Sequence, residues 1–355
     1  MLDHILDSPL SNWLKDSSPN GEHIAISSRV RLARNFEGPL FTNKNDEPSL
    51  QEVDSIARGL ISTLTKADNR EYSSISLDKL SDTERSVLVE KHLISPAMAE
   101  KLPYRSLVVS NDASVAVMVN EEDHLRIQAM EPGLQLMNAF KHASLIDDAI
   151  ESKHVFAFHE QFGYITACPT NVGTGMRASV MLHLPALALT GRINRLIRSI
   201  LQLGYSVRGL YGEGSEALGH MYQVSNQRTL GDSELDTIEQ LEKIVEGIIA
   251  EERKYRQSLL HNDREGLEDR LWRSYGILQY ARRIDGKEAL EKLSDVQLGM
   301  DLGILPAWSD HSFNELVAVT RPNFLNKYIG KDDVTTNERD AYRATVIRQK
   351  LVDMA

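Results

Sequence analysis

Between Glu22 and about Asn226 the chain is a succession of short alternating runs, and no other feature constrains its fold as much. From His23 to Leu32, Ile24, Ile26, Val30 and Leu32 fall on one side and Ala25, Ser27, Arg29 and Arg31 on the other, the period-two signature of a strand with one buried face. Ser106–Ser110 and Ser114–Val119 flank Asn111-Asp112, which reads as a hairpin. His124–Met130, Val155–Phe158, Tyr164–Ala167 and Arg177–Leu184 alternate as well. Strands joined by such short links pair antiparallel, because parallel neighbours need a long crossover. Helical spacing is expected near Leu50–Lys66, Gly133–Ser152, Pro185–Leu203 and Glu234–Leu260, where Leu235, Ile238, Leu241, Val245, Ile248 and Tyr255 form one stripe. From about Leu267 the pattern is almost wholly helical, broken at Gly286, Pro306, Pro322 and Gly330. The expected class is α+β: an antiparallel sheet flanked by helices over residues 1–258, then a small all-α domain over residues 259–355. The polar break His261-Asn262-Asp263 marks the boundary.

A formal net charge of −11 speaks against a surface that tracks nucleic acid, which needs clustered positive charge. No run reaches the roughly eighteen apolar residues of a membrane span, and the first twenty residues have no apolar core of a secretory signal. The single cysteine, Cys168, has no internal disulfide partner. These features point to the cytoplasm.

Arg29 and Arg31 share the polar face of one strand, where two guanidiniums repel unless an anion lies between them. Arg126 shares a strand face with His124 and Gln128. Arg177 leaves the polar loop Cys168–Gly175, and Arg208 precedes a glycine-rich segment. Each arginine alone reads best as a solvated charge; converging, the five would form a cradle for a triphosphate, which guanidinium binds bidentately. The turn Asn120-Glu121-Glu122-Asp123-His124 carries three consecutive carboxylates, ordinarily an exposed turn. No protein metal site is expected, since Mg²⁺ often leans on substrate phosphates. Gly173–Ala178 and Gly212–Ala217 both fit G-x-G-x-x-[GA], but neither sits between a strand and a helix as dinucleotide binding requires. A phosphate loop of the G-x-x-x-x-G-K-[ST] type is absent, as are the signatures of the common protein kinases.

Taken together, Ser28-Arg29-Val30-Arg31, Asn120–Arg126 (NEEDHLR), Cys168–Arg177 (CPTNVGTGMR) and Arg208-Gly209 with Val224-Ser225-Asn226 resemble, in order and spacing, the signature blocks of the phosphagen kinases. Small-molecule members carry a helical domain of about a hundred residues before the S-R-V-R strand. Here that strand begins near residue 27, and helices are appended at the C-terminus. The arrangement resembles the branch that phosphorylates protein arginines. Arg339-Asp340-Ala341-Tyr342-Arg343-Ala344 is similar to that branch's R-D-x-x-R-A motif, implied to bind phosphoarginine.

The resemblance implies ATP and Mg²⁺ as cofactors, Glu122 as general base, Glu213 as a second carboxylate on the guanidinium, and Cys168 beside it. The bland reading of Cys168 is a small buried hydrophobe. Ser28, Arg29, Arg31, Arg126, Arg177 and Arg208 are implied to bind ATP. Arg339 and Arg343, one turn apart on a helix capped by Thr336 or Asn337, are expected to reach one phosphate, with Asp340 in the first turn. Implied partners are proteins with exposed arginines, an activator, a Clp-type protease or a stress repressor, and a second copy of the chain. Leu271, Ile277, Leu278 and Leu290 can supply an apolar dimer face, although such residues more often pack within their own domain. A kinase for a small guanidino metabolite and a non-catalytic phosphoarginine adaptor are the competing readings.

Overall fold

The computed structural model describes residues 2–8, 11–14, 23–209, 217–306, 312–331 and 334–353. Helix α1 (Leu2–Asp7) precedes β1 (Ala25–Arg34). Helices α2 (Glu47–Gly59) and α3 (Ile61–Asp68) lead to β2 (Tyr72–Ser76), and α4 (Asp82–Glu90) leads to the hairpin of β3 (Ser106–Ser110) and β4 (Val115–Val119). Strand β5 (Leu125–Pro132) runs into α5 (Leu136–Glu151). A ribbon of β6 (Phe158–His159) and β7 (Gly163–Tyr164) stands before β8 (Met176–His183). Then come α6 (Pro185–Leu189), α7 (Ile193–Gln202), β9 (Tyr205–Gly209), β10 (Met221–Asn226) and the long α8 (Glu234–Asn262). Helices α9 (Arg264–Tyr280), α10 (Gly286–Asp301), α11 (Ser312–Val319), α12 (Pro322–Ile329) and α13 (Thr336–Asp353) follow.

Eight strands form one sheet in the order β2-β3-β4-β5-β1-β8-β10-β9, every pair antiparallel. Alternation sends Val30, Leu32, Val117, Ile127, Ala178, Val180 and Val224 to one face, where they pack with α3, α5 and α8 residues such as Leu64, Ala139, Ile146, Leu241 and Val245. The opposite face is mixed in character. There Leu107, Val109, Met118, Met130 and Met221 join a second core with Val87 and Leu88 of α4 and with Leu271, Leu293 and Leu316 of the C-terminal helices. Arginines stand on that face on the central strands β5, β1 and β8, and one more on the edge strand β9.

The α+β class and antiparallel sheet match the sequence expectation, with local differences. Val155–Phe158 and Tyr164–Ala167 do not join the main sheet; their ends form the separate β6–β7 ribbon. Leu50–Lys66 divides into α2 and α3 at Leu60, and Pro185–Leu203 divides at Gly191, whose φ is +69°. Ile26 packs in the core opposite to that of Val30 and Leu32, because a register shift between Ala25 and Ser27 rotates the strand's first residues. Helix α8 passes residue 258 unbroken; the chain bends at Asp263, whose carboxylate accepts from Gly266 N at 3.1 Å and caps α9. The helical region is fastened to the sheet region by buried polar bonds. Glu252 accepts from the N–H groups of Ala186 and Leu187 at 2.9 and 3.0 Å, Arg256 donates to Glu252 and, at 2.7 Å, to Asp301, and His23 bonds Asp301 at 2.9 Å.

Candidate active site

Strand register decides which arginines meet. Arg31 of β1 lies directly across from Arg177 of β8 on one side and Gln128 of β5 on the other. Arg29, one pleat away (roughly 7 Å), faces Ser179 and Met130, while Arg126 faces Ala33. Arg208 of β9 faces Gln223 of β10. All five arginines line one cleft of about 670 Å³.

Like charges opposed on a ladder are destabilising, and here they are also drawn out of water. Burial, then Arg126 and Arg177, lowers the pKa of Arg29 to about 10. Burial and three neighbouring arginines push the pKa of Arg31 well below the usual arginine value, against the pull of Glu121. Among the described residues neither Arg29 nor Arg31 has a hydrogen-bond or ion-pair partner, and Arg31 Nε is buried without one. Arg177 is steered by serines: Nε lies 3.4 Å from Ser225 Oγ and Nη2 3.2 Å from Ser206 Oγ. A floor of converging guanidiniums, with Arg29 and Arg31 drawn out of water, fits a polyanion, and a triphosphate offers oxygens enough for all of them.

The acidic turn is fixed rather than solvated. Asn120 adopts a φ of +59° and donates from its amide to Leu50 O and Tyr104 O at 2.9 and 2.8 Å. Asp123 accepts from Asn35 Nδ2 at 2.7 Å and Ala167 N at 2.6 Å, tying the turn to the end of β1 and to the segment before Cys168. His124 accepts from Phe36 N at 3.0 Å and bonds Leu40 O, so it is a brace; burial holds its pKa down. With both flanks pinned, Glu121 accepts from Ser95 Oγ and pairs with Arg126 at 2.7 Å, while Glu122 lies 3.4 Å from Arg126. Glu122 keeps 44% of its side chain exposed, open to a second guanidinium.

The loop from Cys168 to Gly175 closes the other side. Its glycines are forced by close approach: a Cβ on Gly173 (φ +115°) would lie 2.0 Å from Thr229 O, and one on Gly175 (φ +63°) 2.7 Å from Ala33 O. Buried Arg34 braces the loop from beneath, forking onto Asp147 at 2.7–3.1 Å and donating to Thr174 O at 2.9 Å, with its guanidinium 3.5 Å from the centre of the Tyr164 ring. Cys168 is half-buried, with Sγ 3.0 Å from Thr170 Oγ1. A second pocket of about 150 Å³ results, where Glu122 and Cys168 meet Arg31, Arg126 and Arg177. Those three arginines also line the larger cleft, so the two cavities abut across them.

Ser28 does not belong to this group. It is wholly buried on the far side of β1, donating to Gly133 O and accepting from Gln135 N, both at 2.9 Å, and so fixes the entry to α5. A residue adjacent to Arg29 on a strand must point to the other face. Glu213 lies outside the described residues. The C-terminal motif also departs from expectation. The cap of α13 is Thr335, one residue earlier than Thr336, in a reciprocal box with Glu338, which puts Asp340 in the second turn. Arg343 is buried and bonds Thr320 O and Ile284 O at 2.9 Å and Asp340 Oδ1 at 2.6 Å, while Arg339 donates to Asn326 Oδ1 at 3.0 Å. Asp340 thus pairs with Arg343 in this state. Sequence reasoning missed the braces Asn35, Asp123, His124 and Arg34, whose roles come from pairings over long separations. Among the described residues, no group of three or more His, Cys, Asp or Glu side chains is placed to hold a metal ion, and no helix is long and apolar enough to cross a membrane.

Comparison with known proteins is consistent along the chain. Residues 52–255 match the family model for the ATP:guanido phosphotransferase C-terminal catalytic domain, and residues 264–355 match that for the protein-arginine kinase McsB C-terminal domain. The protein-arginine kinase of Halalkalibacterium halodurans is 48% identical over 353 residues, covering 99% of this chain and 98% of the relative. That of Bacillus subtilis is 47% identical over 353 residues, covering 99% and 96%. Among solved structures, the duplicated taurocyamine kinase from Schistosoma mansoni aligns with a TM-score of 0.59 at 26% identity, over 70% of this chain and 37% of that one. A lombricine kinase aligns with a TM-score of 0.58 at 21% identity, over 72% and 76%.

Proposed function

Because the chain belongs to the ATP:guanido phosphotransferase family, and within it to the relatives of the protein-arginine kinases, we propose that it transfers the γ-phosphoryl group of ATP to arginine side chains of other proteins. The observation that carries this reading is the abutment of the two cavities. A triphosphate on the arginine floor ends where Arg31, Arg126 and Arg177 border the pocket of Glu122 and Cys168.

Arginine is a poor nucleophile, since a pKa above about 12 leaves it protonated at neutral pH. Glu122 binds the incoming guanidinium and takes a proton from the attacking nitrogen. The N–P bond forms as the bond from phosphorus to the bridging oxygen breaks, and ADP leaves with the electron pair. Arg31, Arg126 and Arg177 meet the phosphoryl oxygens while charge redistributes among them, and Arg29 and Arg208 hold the rest of the chain of phosphates. Mg²⁺ would be held chiefly by the nucleotide and water rather than by side chains of this chain, and would add charge neutralisation to that of the arginines. Cys168 orients the guanidinium, and Glu213 is the proposed second carboxylate of the clamp.

The reading extends to residues 1–258 as the catalytic unit and residues 259–355 as a regulatory unit in which Arg339, Asp340 and Arg343 take phosphoarginine. It also includes a cytoplasmic setting, targets with exposed arginines, an activator protein, and a Clp-type protease or stress repressor downstream. A homodimer through the helical region would draw on Trp272 and Tyr280, which are exposed on α9, since Leu271, Leu278 and Leu290 are buried within the fold. The deciding experiment offers γ-labelled ATP with both a casein-like protein and free arginine. Acid-labile label on protein supports the reading; label on free arginine alone, or none, overturns it.

A further inference from the structure

The arginine floor has a ceiling, and it comes from the helical region. Between α11 and α12 the chain turns at Thr320-Arg321 and brings Arg321 into the lining of the same cleft as Arg29, Arg31, Arg126, Arg177 and Arg208. This turn is held in detail. The Glu90 carboxylate, at the end of α4, accepts from Asn323 N, Asn323 Nδ2 and Phe324 N at 2.9, 2.8 and 2.9 Å, capping α12 from across the cleft. Arg343 Nε holds the carbonyl of Thr320 at 2.9 Å. The guanidinium itself donates to Glu90 O, and Nη1 and Nη2 each lie 3.3 Å from His92 Nε2.

His92 explains why the contact is attractive. Burial, Arg321 and Arg29 hold its pKa well below the usual imidazole value, so the ring is neutral and its Nε2 accepts. Arg29, His92 and Arg321 line the large cleft together and also share a narrower cavity beside it, which sets the two guanidiniums at one level of the cleft. That level is one pleat from Arg31, away from Glu122 and Cys168 and toward a narrow cavity lined by Ile26, Met130, Met181 and Met221. Arg321 Nε is buried and has no hydrogen-bond partner. A partly desolvated guanidinium facing a row of five others, with an unused donor, is an arrangement that an anion completes.

We infer that Arg321 is a sixth nucleotide-binding arginine, placed by His92 and Glu90 to grip the nucleoside-proximal phosphates of ATP, so that bound nucleotide bridges the sheet and the helical region. The inference rests on the nucleotide reading of the cleft. It adds a residue that the catalytic domain alone does not contain, with His92 as a positioning residue.

The test is calorimetric titration of the full-length chain with ATP–Mg²⁺, alongside melting of each variant without nucleotide. Loss of one charge-assisted contact corresponds to about tenfold or more in affinity, so Arg321→Gln is expected to raise the Kd for ATP at least that much. Its KM for ATP should rise in step, with kcat at saturating ATP within about threefold. Leu325→Ala serves as the control for loosened packing, because Leu325 is buried in α12 away from the cleft lining. It should lower Tm while leaving ATP affinity near that of the wild type. Arg321→Gln binding ATP within threefold of wild type, or losing no more affinity than Leu325→Ala, overturns the inference. Arg29→Gln separates the two levels of the argument: if it too binds ATP normally, the nucleotide reading itself has failed, whereas weak binding there with normal binding in Arg321→Gln defeats only the role of Arg321.

Discussion

Glu122 stands half out of the pocket with Arg126 behind it and open space before it. Glu122→Gln keeps its size and most contacts but cannot take a proton. Phosphoarginine formation should fall by roughly 10²–10⁴, with the Kd for ATP within about threefold, measured by quench assay and titration. A rate loss below about threefold, under ~1 kcal/mol of barrier, would remove Glu122 from the role of base. Arg29 supports a prediction of opposite sense. Its pKa near 10 lies below the free value, so the fold disfavours its charged form. That penalty is fully present below pH 10 and is relieved as pH rises through it. Arg29→Gln should therefore stabilise the nucleotide-free protein at neutral pH by on the order of 1–2 kcal/mol after allowance for solvent screening, seen as a higher Tm, and by less at high salt, while abolishing stabilisation by ATP. A lower Tm without nucleotide would mean that the arginines do not strain the fold. The five arginines were legible as a set because strand alternation puts Arg29 and Arg31 on one face. By the same alternation Ser28 belongs on the other, where the structure places it. Arg321 and His92 were illegible, since nothing local connects residues so far apart in the chain.

At the scale of elements, long alternating strands and long amphipathic helices were readable, and serine-rich or composite ones were not. Strand β2 reads Tyr-Ser-Ser-Ile-Ser and pairs along a sheet edge, with too few apolar positions for its period to show. Helix α4 announces itself only through the reciprocal cap of Ser81 and Glu84. Helix α13 shows how a motif can be visible while its geometry is not. Its two arginines are a turn apart, yet only Arg339 has its contacts at the margin, whereas Arg343 is a buried anchor for Thr320 and Ile284. Replacing Arg339 and Arg343 together is therefore less informative than replacing each alone. Arg339→Ala should lose phosphoarginine binding by calorimetry with little change in Tm. Arg343→Ala leaves carbonyls and Asp340 without their donor, so it should also destabilise the fold by roughly 3 kcal/mol or more. Equal Tm losses in the two variants, or phosphoarginine binding unchanged in Arg339→Ala, would contradict this division of labour.

The whole molecule is tied together by polar groups buried between its two halves, and these make its stability depend on pH. His183 of β8 bonds Ser294 of α10 at 2.7 Å and stacks near Phe313 of α11. Burial holds its pKa, and that of His92, well below the usual value, and lowers those of His124 and His220 as well. The unfolded chain protonates these rings near pH 6.5, but the native one does not. Their contribution is intact above that pH and is lost progressively as pH falls toward the native values, by up to about 1.4 kcal/mol per pH unit for each ring. Glu252, which is buried, has its pKa raised and works in the opposite direction, because the native state binds that proton more tightly. A comparison is therefore more telling than a single curve. His183→Gln retains a partner for Ser294 and removes one ionisation. Urea midpoints from pH 7.5 to 5.0 should fall less steeply in this variant, the two curves converging toward the acid end even though the variant starts lower. Parallel curves would mean that His183 ionises in place, and that the joint between sheet and helices tolerates a buried charge that its apolar surroundings should not accept.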